Sequence, residues 1–119
     1  NTASNAGIVV CAAAGNEKKY CTNYYPAAYN NVIAVSALTS DNSLASYSNY
    51  GEYVDIAALG DGVYSLNTTG KDGGSDYDIF GGTSIATPFV SATAAILISM
   101  NPSLTPAGVE YIITLMGCD

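Results

Sequence analysis

A hydroxyl able to act as a nucleophile stands at position 84, within Gly81-Gly82-Thr83-Ser84-Ile85-Ala86-Thr87-Pro88 and directly ahead of a long run of small apolar residues. An alcohol attacks poorly at neutral pH unless a general base sits beside it and donors wait for the developing negative charge. The two glycines before the serine permit a close approach by backbone or substrate, since no Cβ stands in the way. Residues 84–100 are mostly Ala, Ile, Leu, Val, Ser and Thr, which reads as a buried helix. Pro88 fits its first turn, where a missing N–H loses no partner. Ser84 then sits at the positive end of a helix dipole. Taken alone, the same serine is equally readable as an N-cap that satisfies a free backbone N–H.

The elements that must position this hydroxyl are short. Residues 8–14, 32–37 and 54–58 are apolar or β-branched runs bounded by turn residues, as covered parallel strands require. Long loops rich in Asn, Ser, Tyr and Gly join them. Residues 66–82 suit a hairpin or irregular loop, with Thr68-Thr69-Gly70-Lys71-Asp72-Gly73-Gly74 as its turn. Two helices follow, over 84–100 and 106–116, the second marked by Thr105 as N-cap and Pro106 at its first position. No internal repeat, low-complexity tract or linker divides the 119 residues, which suffice for one modest domain.

The segment Gly82-Thr83-Ser84-Ile85-Ala86-Thr87-Pro88 resembles the serine motif of the subtilisin-like serine proteases, the subtilases. Three further segments are similar to that family and come in its order. These are Ile8-Val9-Val10-Cys11-Ala12-Ala13-Ala14-Gly15-Asn16-Glu17, then Tyr25-Pro26-Ala27-Ala28-Tyr29 with Val32-Ile33-Ala34-Val35-Ser36-Ala37, then Ala45-Ser46-Tyr47-Ser48-Asn49-Tyr50-Gly51 with Val54-Asp55-Ile56-Ala57-Ala58-Leu59-Gly60. On its own, Gly15-Asn16 reads as no more than a turn. The four segments together cover nearly the whole chain.

The resemblance implies a three-layer α/β/α fold with a mostly parallel central sheet, of which this chain would be the C-terminal portion of one catalytic domain. It gives Ser84 the nucleophile's role and Asn16 that of an oxyanion donor. Ala13, Ala14 and Gly15 would form one wall of the pocket for the residue before the cleaved bond, with Tyr24 at its floor and Thr83 also at the substrate. It implies a cis Tyr25–Pro26 bond. No cofactor is required, although the carbonyls of Ala27, Tyr29 and Val32 could join a structural calcium or monovalent-cation site. The expected partner is a peptide or protein substrate, and the expected location extracellular or at the cell surface.

Composition restricts the alternatives. The formal net charge is −7, and the cations are Lys18, Lys19 and Lys71 with no arginine, which argues against nucleic acid. Asp61, Asp72, Asp76 and Asp78 crowd the stretch before the serine and read as solvated loop carboxylates rather than a cation site. No apolar run reads as long enough to span a bilayer, and no signal peptide is expected at the start. Cys11, Cys21 and Cys118 are odd in number and lack metal-ligand spacing. Cys11 reads as a buried thiol, and a Cys21–Cys118 bridge is conceivable. Asn67-Thr68-Thr69 matches a glycosylation acceptor, a short pattern with little weight.

There is no histidine, so the usual base for a serine nucleophile must come from elsewhere. The expectation is a fragment, inert alone, whose missing N-terminal part carries the Asp and His of a triad. Two departures from the family pattern, Phe89 for histidine and Leu59 for proline, leave open a catalytically degenerate relative acting as a binding or regulatory module. Phe89 is expected in the core. A third reading is a free-standing structural module whose serine only caps a helix.

Overall fold

The computed structural model describes residues 2–67 and 76–117. The turn expected over residues 68–74, the glycosylation pattern beyond Asn67 and any Cys118 bridge lie outside them. A four-residue helix, α1 (Thr2–Asn5), precedes strands β1 (Cys11–Ala13), β2 (Ile33–Leu38) and β3 (Ile56–Leu59). Strands β4 (Val63–Leu66) and β5 (Tyr77–Phe80) follow, then helices α2 (Thr83–Met100) and α3 (Pro106–Leu115).

The first three strands form a parallel sheet in the order β1-β2-β3, with Cys11 opposite Ile33 and Val35 opposite Ile56. β2 is the central strand and is buried over Ile33–Ala37, as a strand covered on both faces must be. Its side chains alternate between two cores. Ile33, Val35 and Ala37 join Ala86, Val90 and Ala94 of α2 and Val109 and Ile113 of α3, while Ala34 packs with Ala12, Ala27 and Tyr53 on the other face. Helices therefore cover one face of this α/β sheet together with Ala45 and Tyr47, and Ala27, Val32 and Tyr53 from the loops cover the other.

β1 and β3 are shorter than their apolar runs, while β2 keeps the length of its run and is shifted by one residue. Residues 8–10 lie outside β1 because its register with β2 begins at Cys11, and β3 begins at Ile56 rather than 54. The hairpin begins earlier than expected, since β4 and β5 pair antiparallel from Val63–Phe80 to Leu66–Tyr77. α3 starts as read: Pro106 occupies the first turn and the Thr105 side chain accepts from the Gly108 N–H at 3.2 Å.

α2 is an eighteen-residue helix of mean hydropathy 1.5, long and apolar enough to cross a membrane. Its scattered hydroxyl residues hid that length in the sequence. In this structure it lies along all three parallel strands and α3, burying Thr83, Ala86, Val90 and Ala94 on one face. Phe89 falls off that face and is 46% exposed, contrary to its expected place in the core. Cys11 is half-buried rather than buried, and among the described residues Cys11 and Cys21 form no disulfide.

Candidate active site

Ser84 is the second residue of α2, and it is not the N-cap. Gly82 holds that position with φ 151°, and no side chain caps from there. The capping is done from a distant strand end: the Asn16 Oδ1 accepts from the Thr83 N–H at 2.9 Å and from the Thr83 hydroxyl at 3.0 Å. A first-turn N–H that lacks an intrahelical acceptor is thereby satisfied. The same two bonds fix which way the carboxamide faces. With its oxygen turned to Thr83, its Nδ2 points toward the serine side. A Cβ built on Gly82 would stand 3.2 Å from Ser84 Oγ and 3.8 Å from Asn16 Nδ2. Any side chain at 82 would fill the space those two groups share, and the left-handed φ disfavours one in any case.

Among the described residues, neither Ser84 Oγ nor Asn16 Nδ2 has a hydrogen-bond partner. Both residues are exposed. Ser84 also borders an open cavity of about 460 Å³ with Cys11, Ala12, Ala13, Thr87, Pro88 and Ser91. The structure thus brings Ser84, Asn16 and Ala13 to one surface.

Ala14 and Gly15 form the packed floor behind that surface. Ala14 is fully buried, its N–H donates to the Val35 carbonyl, and its carbonyl accepts from Asn49 Nδ2 at 3.1 Å and the Tyr53 hydroxyl at 2.7 Å. The Gly15 N–H donates to Thr83 Oγ1 at 3.1 Å, and its carbonyl accepts from the Asn49 N–H. These two residues contribute shape, because their backbone polar groups are already committed. Thr83 is fully buried, and its hydroxyl bridges the Gly15 N–H and Asn16 Oδ1.

Asn49, Ser48 and Tyr53 complete the support and were not singled out in the sequence. Asn49 is fully buried; its Oδ1 accepts from the N–H groups of Glu17 and Lys19. Ser48 Oγ accepts from the Ala37 N–H at 3.0 Å. Burial pushes the Tyr53 hydroxyl pKa up, so it stays a neutral donor. The only hint was the place of Ser48 and Asn49 in the 45–51 segment that carries the resemblance, and Tyr53 lies outside it.

Tyr24 lies beside Gly15, its Cε1 2.7 Å from where a Cβ there would stand. Its hydroxyl donates to Glu17 Oε1 at 2.7 Å. That bond is the main cause of a lowered Glu17 pKa and a raised Tyr24 pKa. The Tyr25–Pro26 peptide bond is cis. Ala27, Tyr29 and Val32 line a separate cavity of about 250 Å³ with Asp55 and Glu110. The Tyr29 carbonyl accepts from the Val32 N–H at 3.2 Å. Among the described residues, no group of three or more His, Cys, Asp or Glu side chains could hold a metal ion.

Comparison with known proteins places this geometry. A profile of the subtilase family matches residues 1–115. Halolysin of Haloferax mediterranei is 46% identical over 99 residues, covering 83% of this chain and 18% of the relative. An extracellular protease of Xanthomonas campestris is 40% identical over 116 residues, covering 95% of this chain and 20% of the relative. The chain thus spans about a fifth of the length of these relatives. Among solved structures, a protease of Pseudoalteromonas arctica superimposes with a TM-score of 0.92 at 35% identity, over the whole of this chain and 38% of that one. A serine at a helix mouth, a carboxamide capping that helix from the loop after β1, and a family match over nearly every residue lead to one conclusion: the chain belongs to the subtilase family.

Proposed function

We propose that this chain supplies the nucleophile and part of the oxyanion site of a secreted serine endopeptidase. The observation that carries the reading is the open point at Gly82, flanked by Ser84 Oγ and Asn16 Nδ2. Ser84 attacks a peptide carbonyl, losing its proton to a histidine, and an acyl-enzyme forms that water then hydrolyses. With no histidine here, that base and the aspartate that orients it come from residues outside this chain, and the chain by itself is inactive. Asn16 Nδ2 and the Ser84 backbone N–H donate to the oxyanion. Preorganisation is the point of the Thr83 bridge: a donor already aimed costs no reorientation when charge develops. Ala13, Ala14 and Gly15 wall the pocket for the residue before the cleaved bond, and Tyr24 closes its far side. Halolysin and the Xanthomonas extracellular protease support export.

The Ala27, Tyr29 and Val32 carbonyls share their cavity with Asp55 and Glu110, a set of hard oxygen donors of the kind calcium or a monovalent cation takes. A structural cation there is part of the proposal.

The test is fluorophosphonate labelling of the full-length protein. Labelling on Ser84, abolished in Ser84→Ala, is the expected result. A full-length protein that folds, carries an intact Asp and His, and still resists the reagent sinks the peptidase reading in favour of a catalytically degenerate binding module.

A further inference from the structure

β1 ends at Ala13, and the chain beyond it bonds to β2 only through the Ala14 N–H, which donates to the Val35 carbonyl at 2.9 Å. Asn16 therefore stands two residues past the support of the sheet. Among the described residues its own main chain makes no hydrogen bond; only its side chain is anchored, to Thr83. Its place is set by its neighbours on both sides, and one residue from the loop after β2 holds them. The Asn49 N–H donates to the Gly15 carbonyl at 2.9 Å, and Asn49 Nδ2 donates to the Ala14 carbonyl at 3.1 Å. Past Asn16, Asn49 Oδ1 accepts from the N–H groups of Glu17 at 3.0 Å and Lys19 at 3.3 Å, and Nδ2 also donates to Glu17 Oε2 at 2.6 Å.

A carboxamide offers two donors and two acceptor positions, and here all four are taken. Turning the group over would set Nδ2 against two N–H groups and Oδ1 against a carbonyl and a carboxylate. Asn49 is fully buried, where such a mismatch is costly, so one orientation is fixed. The residues around Asn49 add to the grip: the Lys18 N–H donates to the Tyr47 carbonyl at 2.8 Å, and the Tyr50 N–H to the Lys19 carbonyl at 3.2 Å.

We propose that Asn49 is a positioning residue for the oxyanion donor: it clamps the chain immediately before and after Asn16, and so delivers the Asn16 carboxamide to Thr83 with Nδ2 aimed. This rests on the peptidase reading and adds to it a residue that makes no bond to Ser84, Thr83 or Asn16. Thr83 fixes which way the amide faces, and Asn49 fixes where the main chain that carries it stands. A reacting group displaced by about 1 Å can cost roughly 10²-fold in rate. The loss falls on turnover instead of affinity, because the oxyanion exists only as the reaction proceeds.

The experiment uses the full-length protein, its Asn49→Ala and Asn16→Leu variants, and the two combined. Asn49→Ala leaves room for water to reach the N–H groups it strands; Asn49→Ser, whose hydroxyl still donates and accepts, is the milder second variant. Urea unfolding establishes that each is folded, and Ile113→Val, a core change on α3, controls for lost stability and should leave kcat unchanged. Asn49→Ala should lower kcat about ten- to a hundredfold with KM nearly constant, and Asn49→Ser should follow with a smaller fall. In the Asn16→Leu background the same change should lower kcat less than about twofold, since the donor it would misplace is already gone. An equal fall in both backgrounds marks a merely structural role and overturns the proposal, as does a raised KM with kcat held.

A second arm needs no turnover. Amide hydrogen exchange on the full-length Ser84→Ala protein reads the Thr83 N–H, whose acceptor is Asn16 Oδ1. Adding Asn49→Ala should speed exchange at Thr83 by about tenfold or more, while the Val90 N–H inside α2 keeps its protection. Unchanged protection at Thr83 refutes the clamp whether or not Ser84 labels. Protection lost at Thr83 and kept at Val90 supports it even if the peptidase reading fails.

Discussion

Only Gly81 and Gly82 separate the β4–β5 hairpin from the helix mouth, yet the two regions are built on opposite plans. At the helix mouth, polar groups are buried and paired: Thr83, Ser48 and Asn49 are almost wholly inaccessible, and no side-chain polar atom buried among the described residues lacks a partner. On the hairpin, apolar groups are outside. Tyr64, Leu66, Tyr77 and Ile79 share one face and are each about half or more exposed, with the Tyr64 and Tyr77 rings stacked at 5.3 Å. The contrast teaches where rigidity is needed. Bonds across 67 residues of sequence lock the Asn16 amide to the helix, and low-dielectric surroundings make each such bond expensive to break. The hairpin is held mainly by its own cross-strand pairs.

The largest break should come at the carboxamide. Asn16→Leu in the full-length protein is expected to cut kcat by about 10²–10³-fold with little change in KM, a range set by work on a subtilisin. Steady-state kinetics that show mainly a raised KM would take Asn16 out of the oxyanion role. Next comes Thr83→Val, which keeps the shape but strands the buried Gly15 N–H and leaves the Asn16 amide held by the residue-83 backbone N–H alone. The cost should be about 1–3 kcal/mol in denaturant unfolding, with a drop in kcat alongside it. If stability falls and kcat holds, Thr83 supports the fold without aiming Asn16.

The hairpin should barely respond. Tyr64→Ser or Ile79→Ser removes one cross-strand pair, worth about 0.2–1 kcal/mol, and a larger loss on urea unfolding would mean that this face is covered in the full-length protein. The smallest effect sharpens the rule that burial of a charge stabilises only when it is matched. Asp55 and Glu110 share a cavity, and both carboxyls are raised, chiefly by burial, with Asp55 adding to the rise at Glu110. A raised acid binds its proton more tightly in the folded state, so stability grows as pH falls through the folded pKa toward the ordinary value and is lost again as pH rises. Glu110→Gln should therefore stabilise the protein at pH 7 by under about 1 kcal/mol, and the gain should vanish near pH 4. If instead Glu110→Gln destabilises the protein at pH 7 when calcium is present, the two carboxylates serve a cation.

Local chemistry was legible in the sequence and distant chemistry was not. Thr105-Pro106 announces the start of α3 because cap and first turn are neighbours in sequence. The helix at Ser84 was visible for the same reason, although Ser84 as its cap was one of two open readings. Only coordinates show Asn16 capping from the loop after β1. The β-branched run at residues 8–10 looks like strand, yet pairing is a property of two segments, and the β2 register leaves the ladder to begin at Cys11. Asn49 left no local trace, because its four bonds reach Ala14, Glu17 and Lys19 across thirty or more residues. Tyr24 was placed at the pocket by resemblance, but its tie to Glu17 needed geometry. Phe89 misled for the opposite reason: an apolar side chain on a mostly apolar helix carries no mark of which face it occupies.

Gly60 sets a further limit. A methyl group there would press on Ala37 Cβ at 2.7 Å, the Gly82 carbonyl at 2.8 Å and Ala86 Cβ at 3.0 Å, while the Gly60 carbonyl itself accepts from the Gly82 N–H at 2.8 Å. Its backbone lies outside the left-handed region, so only room forbids a larger residue. The end of β3 therefore works as a spacer gauge for the whole helix: thickening it by one carbon would lift the first turn of α2 off the sheet and carry the serine away from the amide it faces, with neither residue altered.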